Sequence, residues 1–212
     1  MDFQFLNQNL YLHPLKGLFW REKSLLIIAD LHLGKISYFR KSGVGIPSSA
    51  ISKNLENLRS MINEMKPETV LFLGDLFHSH HNAEWDSFVK IIQEFEGIKF
   101  QLIIGNHDIL LPEHYKMAEL EVFYDFLELH PFVFTHEPDE VKSKNYQIAG
   151  HIHPGIKLRG NGLGSLVLPC FYFGEKQAIL PAFGYFTGLY KIKPRKSDTI
   201  FGVVENNVLK LN

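Results

Sequence analysis

The chain has 212 residues, 45 % of them hydrophobic, and its 22 basic side chains nearly cancel 23 acidic ones. That is ample for a real core, read as one domain over residues 1–212. The balance of charge excludes the global positive field of a dedicated nucleic-acid binder, but not an enzyme that grips phosphates locally. The lone cysteine, Cys170, excludes an internal disulfide, and residues 1–5 lack the charged and then apolar run of a signal peptide. No apolar stretch approaches the roughly 20 residues that cross a bilayer, so the expectation is a soluble, cytoplasmic protein with no membrane partner.

In chain order, residues 3–12 and 17–20 read as two strands joined at His13-Pro14. Residues 25–29, Leu-Leu-Ile-Ile-Ala, form a continuous apolar run that suits a strand buried on both faces and runs into Asp30. From 48 to 65, apolar residues at Ile51, Leu55, Leu58, Met61, Ile62 and Met65 recur at helical spacing between Pro47 and Pro67. A second buried strand at 69–73 leads to Asp75. A second helix spans 83–95 on the face of Trp85, Phe88, Val89, Ile92 and Phe95. A third strand, 100–104, ends at Gly105-Asn106-His107-Asp108. Alternating strands and helices imply a parallel sheet with functional groups at the carboxyl ends of its strands.

Beyond about Pro112 the pattern becomes short strands: 132–135, 146–149, 156–158, 165–168, 177–180, 185–190 and 199–204. They are separated by Gly, Pro and Asn and are expected to be mostly antiparallel. The combined expectation is α/β: two sheets face to face with helices outside, and a site at one edge fed from both halves of the chain.

Five segments supply that site: Asp30-x-His32, Gly74-Asp75, Gly105-Asn106-His107-Asp108, His136 and Gly150-His151-x-His153. Their ligand types are oxygen and imidazole, with no thiolate, which favours hard or borderline divalent cations over structural zinc. Residues two apart in an extended segment point the same way, so Asp30 and His32 are expected to reach one metal. The Asp75 carboxylate has lone pairs enough to bridge that metal to a second one roughly 3.5–4 Å away. His151 and His153 divide between the two metals, and Asn106 and His136 add an amide oxygen and another imidazole. A hydroxide bridging the metals is the expected nucleophile. His107 follows a ligand directly, so its ring turns toward the leaving group as general acid, with Asp108 to orient it.

These residues together resemble the calcineurin-like metallophosphoesterase superfamily, the motifs covering about residues 29–153. The resemblance implies the α/β/β/α fold, a two-sheet β-sandwich flanked by helices. It assigns one metal to Asp30, His32, Asp75 and His153 and the other to Asp75, Asn106, His136 and His151, and it implies two divalent ions, commonly manganese, with iron or zinc as alternatives. Thr135 stands before His136 where many members have Gly.

A narrower resemblance covers nearly the whole chain. Residues 29–35, Phe39-Arg40, residues 73–79, Glu84-Trp85, residues 168–171 and residues 180–184 are similar to the ligase-associated DNA damage response endonuclease (PdeM) family. It implies a nuclease in DNA repair, with nucleic acid as substrate and a DNA ligase or helicase as partner. The competing readings are a phosphodiesterase of small molecules such as cyclic nucleotides, and a non-enzymatic scaffold in a repair complex.

Around the motifs, Lys35, Arg40 and Lys41 are candidates to hold a substrate phosphate, each weighed against a solvated face. His78 is weighed evenly between lining the site and plain loop, whereas His80 and His81 read as loop. His13, His114 and His130 read as surface or turn residues. The densest basic stretch, Lys191, Lys193, Arg195 and Lys196, reads as a polar loop rather than a nucleic-acid track. Cys170 is expected to pack in the core, and the tail aromatics, Phe171, Tyr172, Phe173, Phe183, Tyr185, Phe186 and Tyr190, are read as mostly core, with the alternative that one or two rings stack on bases.

Overall fold

The structure, a computed structural model, describes residues 1–41, 43, 45, 49–138, 142–159 and 164–212. The side chains of residues 38, 40, 41 and 49–51 lie outside that description, and with them the readings placed on Arg40 and Lys41. In chain order the first half contains β1 (Asp2–Phe5), β2 (Gln8–Leu12), β3 (Leu18–Trp20), β4 (Leu25–Ala29), α1 (Lys35–Lys41), α2 (Ser49–Met65), β5 (Thr69–Leu73), α3 (Ala83–Gln93), β6 (Lys99–Ile103), α4 (Pro112–Met117) and β7 (Leu120–Phe123). The second half contains β8 (Phe126–Leu129), β9 (Phe132–Thr135), β10 (Tyr146–Ala149), β11 (Pro154–Arg159), β12 (Ser165–Phe173), β13 (Gln177–Ile179), β14 (Tyr190–Lys191), β15 (Thr199–Val204) and β16 (Asn207–Lys210).

One sheet runs β1-β2-β3-β4-β5-β6-β7, with antiparallel neighbours up to β4 and parallel ones from β4 to β7. The other runs β14-β11-β12-β13-β10-β9-β8, with β15 on β12 and β16 on β15. The run at 25–29 is buried on both sides as predicted, and its alternation divides it between two layers. Leu26 and Ile28 meet Val70 and Phe72 of β5, Leu58 and Met61 of α2, and Trp85 and Phe88 of α3. Ile27 and Ala29 face the second sheet, where Trp20, Leu71, Phe134, Ile148, Phe171 and Phe201 close the inner core. Each such side chain contributes about 1.5–3 kcal/mol by leaving water, so the sandwich fixes where the ends of β4, β5 and β6 come together.

Several expectations are corrected. Residues 3–12 are a hairpin, because Leu6 (φ 50°) and Asn7 (φ 59°) are both left-handed and reverse the chain in two residues. The second half is mostly antiparallel as expected, yet mixed: β10 pairs in parallel with both β9 and β13, and β11 with β14. The predicted strand at 185–190 is a loop that enters pairing only at Tyr190. The elements β7, β8, β16 and α4 were not anticipated. No described helix is long and apolar enough to cross a membrane.

Cys170 is fully buried in β12 opposite Gly202 of β15, and burial pushes its thiol up to about 12. Relative to unfolded protein, the native thiol should react with a disulfide reagent at pH 8 roughly a thousand-fold more slowly, through loss of thiolate alone. Equal rates in native buffer and in denaturant would show that this strand opens readily.

Candidate metal centre

The backbone at the site departs from the extended alternation read in the sequence. Asp30 (φ 53°), His32 (φ 49°), Asp75 (φ 49°), His151 (φ 65°) and His153 (φ 52°) all take the left-handed conformation. They are five of the twelve non-glycine residues in that region among those described. A left-handed non-glycine residue costs roughly 1–2 kcal/mol, and such strain concentrates at functional sites. Side chains two apart thus converge because the chain coils past each strand end, not because the strand continues.

Neighbouring loops hold these turns in place. Asp30 N–H donates to Gly74 O (3.3 Å), His32 N–H to Asp75 O (2.8 Å) and Leu33 N–H to Leu76 O (3.0 Å). Gly74, itself at φ 69°, lies so close to His136 that a Cβ would sit 2.2 Å from the ring. A Cβ on Gly105 would meet the Asp75 amide and carboxylate at 2.4 Å. The glycines of the Gly-Asp and Gly-Asn-His-Asp motifs are therefore steric requirements.

Two groups of ligand atoms result: Asp30, His32 and His153, and Asp75, His136 and His151, each with its atoms within 4.8 Å of one another. In the first group, His151 N–H holds Asp30 Oδ2 at 2.9 Å. Asp30 Oδ1 stays buried with no hydrogen-bond partner, 3.5 Å from His153 Nε2. His153 Nδ1 faces Gly188 O at 3.2 Å; a carbonyl only accepts, so the proton sits on Nδ1 and Nε2 keeps its lone pair. His32 Nε2 lies 3.2 Å from that atom. Burial above all, with the Lys35 charge and the neighbouring imidazoles, pushes His32 down to about 2, leaving it a neutral imidazole.

The second group repeats the logic. His136 Nδ1 donates to Leu73 O (3.0 Å), so Nε2 presents a lone pair to Asn106 Oδ1 at 3.1 Å and Asp75 Oδ1 at 3.5 Å. His151 Nδ1 is 3.2 Å from the same nitrogen. The other Asp75 oxygen, Oδ2, faces His32 Nε2 at 3.6 Å, so this one carboxylate faces both groups. Acceptor atoms that converge with no proton between them, one of them orphaned and buried, are satisfied by a cation. Oxygen and imidazole donors without thiolate suit a divalent one. All seven sequence-predicted ligand residues are brought together.

The acid pair is only partly as expected. His107 is half-buried and stacks on His78, ring centroids 3.8 Å apart, and its backbone N–H braces Asp75 Oδ1 at 2.9 Å. Asp108 does not orient the His107 ring. Its Oδ1 accepts from Phe77 N–H and its Oδ2 from Gly105 N–H, both at 2.9 Å, which ties the loop after β6 to the loop after β5. Burial pushes this carboxyl up to about 7, against the downward pull of those two donors.

Among the flanking candidates, His78 lies in the centre, its ring 5.5 Å from that of His32. Burial first, then His107 and Lys35, hold it below the usual histidine range. Lys35 shares a small cleft with His32, Phe186 and Thr187. Partial burial draws its amine downward while Asp75 and Asp30 pull it up. Arg40 has its backbone in α1 and its side chain outside the described residues. Elsewhere, His81 pairs with Asp86, His13 with Glu64 and His130 with Asn145. His13 is buried rather than superficial.

Sequence reasoning had not assigned a task to Glu84. It is a buried carboxylate on α3 that accepts from Gly34 N–H (2.8 Å) and Ser37 Oγ, pinning the turn that follows His32. The 184–190 loop was also missed. Gly184 N–H donates to Asp30 O (3.0 Å) and Tyr190 N–H to His153 O (2.9 Å), but neither residue advertises this in the sequence.

Comparison with known proteins agrees with this geometry. The crystal structure of the Pseudomonas putida nuclease MPE is similar to this chain with a TM-score of 0.85 and 28 % identity, covering 100 % of this chain and 99 % of that one. A protein of unknown function from Aquifex aeolicus, AQ665, has a TM-score of 0.43 and 19 % identity over 61 % of this chain and 78 % of that one, too slight a likeness to carry an argument. No curated protein matches. The profile of the calcineurin-like phosphoesterase family matches residues 23–172, and the chain belongs to that family of metal-dependent phosphoesterases.

Proposed function

We propose that this protein is a dinuclear metal-dependent phosphodiesterase that cuts nucleic acid, a DNA nuclease acting in repair. The observation that carries the reading is the Asp75 carboxylate, with one oxygen toward His32 and the other toward His136. Asp30, His32, Asp75 and His153 would hold one ion and Asp75, Asn106, His136 and His151 the other, manganese in the first instance, with iron or zinc as alternatives. Two divalent cations in such a site supply Lewis acidity and lower the pKa of water. The nucleic-acid substrate is supported by full-length likeness to a nuclease. The repair role, and a DNA ligase or helicase as partner, rest on the resemblance of the motifs to the PdeM family.

The chain's own residues supply the rest. Gly74 and Gly105 let three strand ends approach, and the carbonyls of Leu73 and Gly188 fix the ring protons of His136 and His153 away from the ligand pairs. His107, buttressed by the His78 ring, delivers a proton to the departing oxygen. Lys35, in the cleft beside His32, steadies a non-bridging phosphate oxygen. A net charge of −1 favours the second reading, a hydrolase of small diesters.

A manganese-supplemented assay on single-stranded DNA, duplex DNA, a 2′,3′-cyclic nucleotide and a generic aryl diester, with Asp75→Asn as control, separates these readings. Cleavage of DNA by the wild type alone is expected. Turnover confined to the small diesters would sink the nuclease reading, and no turnover of any substrate would favour a scaffold. Asp75→Ala should lose both metals and about a thousand-fold or more in rate, since several kcal/mol of charge stabilisation goes with them. His78→Ala should keep both metals, and equal metal loss in the two variants would contradict a bridging carboxylate. His107→Ala should slow cleavage of a poor leaving group by about 10²–10⁴-fold at full metal content; an unchanged rate would remove His107 from the acid role.

A further inference from the structure

Seven Lys and Arg residues stand against two acidic residues in 151–200, within a chain of net charge −1. The same segment holds three exposed rings: Tyr185 at 63 %, Phe186 at 40 % and Tyr190 at 65 %. Of the tail aromatics expected to be mostly core, Phe171, Phe173 and Phe183 lie there and these three do not. Their exposure is not slack in the loop, because its backbone is anchored at both ends. Phe183 and Gly184 donate to Ala29 O and Asp30 O, Tyr185 N–H to Asn54 Oδ1 (3.0 Å), and Tyr190 N–H to His153 O. Lys16 Nζ adds a bond to Gly184 O (3.2 Å).

A rigid loop that faces three rings outward beside buried ligands presents apolar area for something to cover. Phe186 lines the same cleft as His32 and Lys35, the Tyr185 ring packs on Phe186, and the backbone of Tyr190 is bonded to that of His153, so the loop that carries the rings runs past the first ligand group. Beyond Tyr190 the chain continues as exposed Lys191 and Lys193 along the edge of the second sheet, beside β11. Rings next to the reacting centre followed by lysines leading away match a strand whose bases stack and whose phosphates run along positive charge.

We propose that Tyr185, Phe186 and Tyr190 form a ledge on which unpaired bases of a nucleic-acid strand stack, placing the intervening phosphate at the metal centre. The inference rests on the nuclease reading above and adds to it the side chains that take the bases. Bases inside a duplex have their faces already covered and cannot reach such rings without unstacking. The Tyr185 and Phe186 rings are tilted by 59° with centroids 5.6 Å apart, so they accept two bases in different orientations, as in a strand that bends.

The test is binding, read by fluorescence anisotropy in metal-free buffer, of labelled oligothymidylate, an abasic strand of equal length and a duplex. The wild type should prefer oligothymidylate over the abasic strand by about ten-fold or more, and the single strand over the duplex. Tyr185→Ala with Phe186→Ala, and separately Tyr190→Ala, should abolish the base preference and leave abasic binding within about two-fold. Tyr185→Phe and Tyr190→Phe, which keep the rings, should restore it.

An unchanged preference in the alanine variants would overturn the ledge while leaving the nuclease reading standing. A wild type that neither binds nor cuts any nucleic acid would bring down both. Tighter binding of duplex, or self-association in sedimentation that vanishes in the alanine variants, would give the rings to another occupant and overturn the proposal.

Discussion

Asp75 directs its two oxygens at two different imidazoles, 3.6 and 3.5 Å away, while Asp30 lies wholly buried beside the first of them. Carboxylates and imidazole lone pairs at such distances repel, and burial removes the water that would screen them. A chain does not gather them without a means of compensation. Here part of it is internal: backbone amides of His107 and His151 each brace one carboxylate oxygen. The oxygens and nitrogens left over face one another, and this residue of unsatisfied electron pairs is what a divalent cation relieves. Everything else in the molecule keeps these groups from swinging apart.

The sandwich does so through its two cores. β4 and β5 each send alternate residues to the helices and to the second sheet, so neither strand can slide without emptying one layer or the other. Their ends are thus fixed, and Asp30 and Asp75 with them. The second sheet brings β9 and β10 in parallel beneath those ends, which places His136 and His151 opposite. Strain from five left-handed residues is borne because the flanking strands and hydrogen bonds determine each turn from both sides. Asp108, partly buried, and Glu84, buried, act at the same level, as carboxylates that tie loops rather than perform chemistry.

The candidate ligands were legible because the chemistry restricts residue types sharply and the buried runs before Asp30 and Asp75 marked strand ends. Helices α2 and α3 were legible through their apolar period. What failed shares a cause. Leu6 gives no sign that it will turn left-handed, so the first hairpin read as one strand, and β7, which continues the first sheet beside β6, is too short to mark itself as a strand. The extended alternation proposed for Asp-x-His and His-x-His led to side chains that do converge, by a wrong geometry, because a left-handed turn also returns every second side chain to one place. Asp108 was misassigned because adjacency to His107 in sequence said nothing of the amides of Phe77 and Gly105, which claim it. Among the tail aromatics Phe171, Phe173 and Phe183 are core, but Tyr185, Phe186 and Tyr190 are not: hydrophobicity argues for burial, and only tertiary structure shows which rings the core has no room for.

Net charge misleads in the same way. A total near zero sums over a surface far wider than the roughly 8 Å across which charges act at physiological salt, and it hides the basic excess of 151–200. A phosphate backbone reaching the candidate metal centre would meet Lys35 and the strand edge beyond Tyr190, not the average of the protein. Because two cations would themselves concentrate positive charge at the scissile group, the surrounding surface needs only enough basicity to align the strand. On the proposed reading, a weakly basic flank with anchored aromatic rings would grip through base faces, which salt screens little, leaving the metals to hold the phosphate.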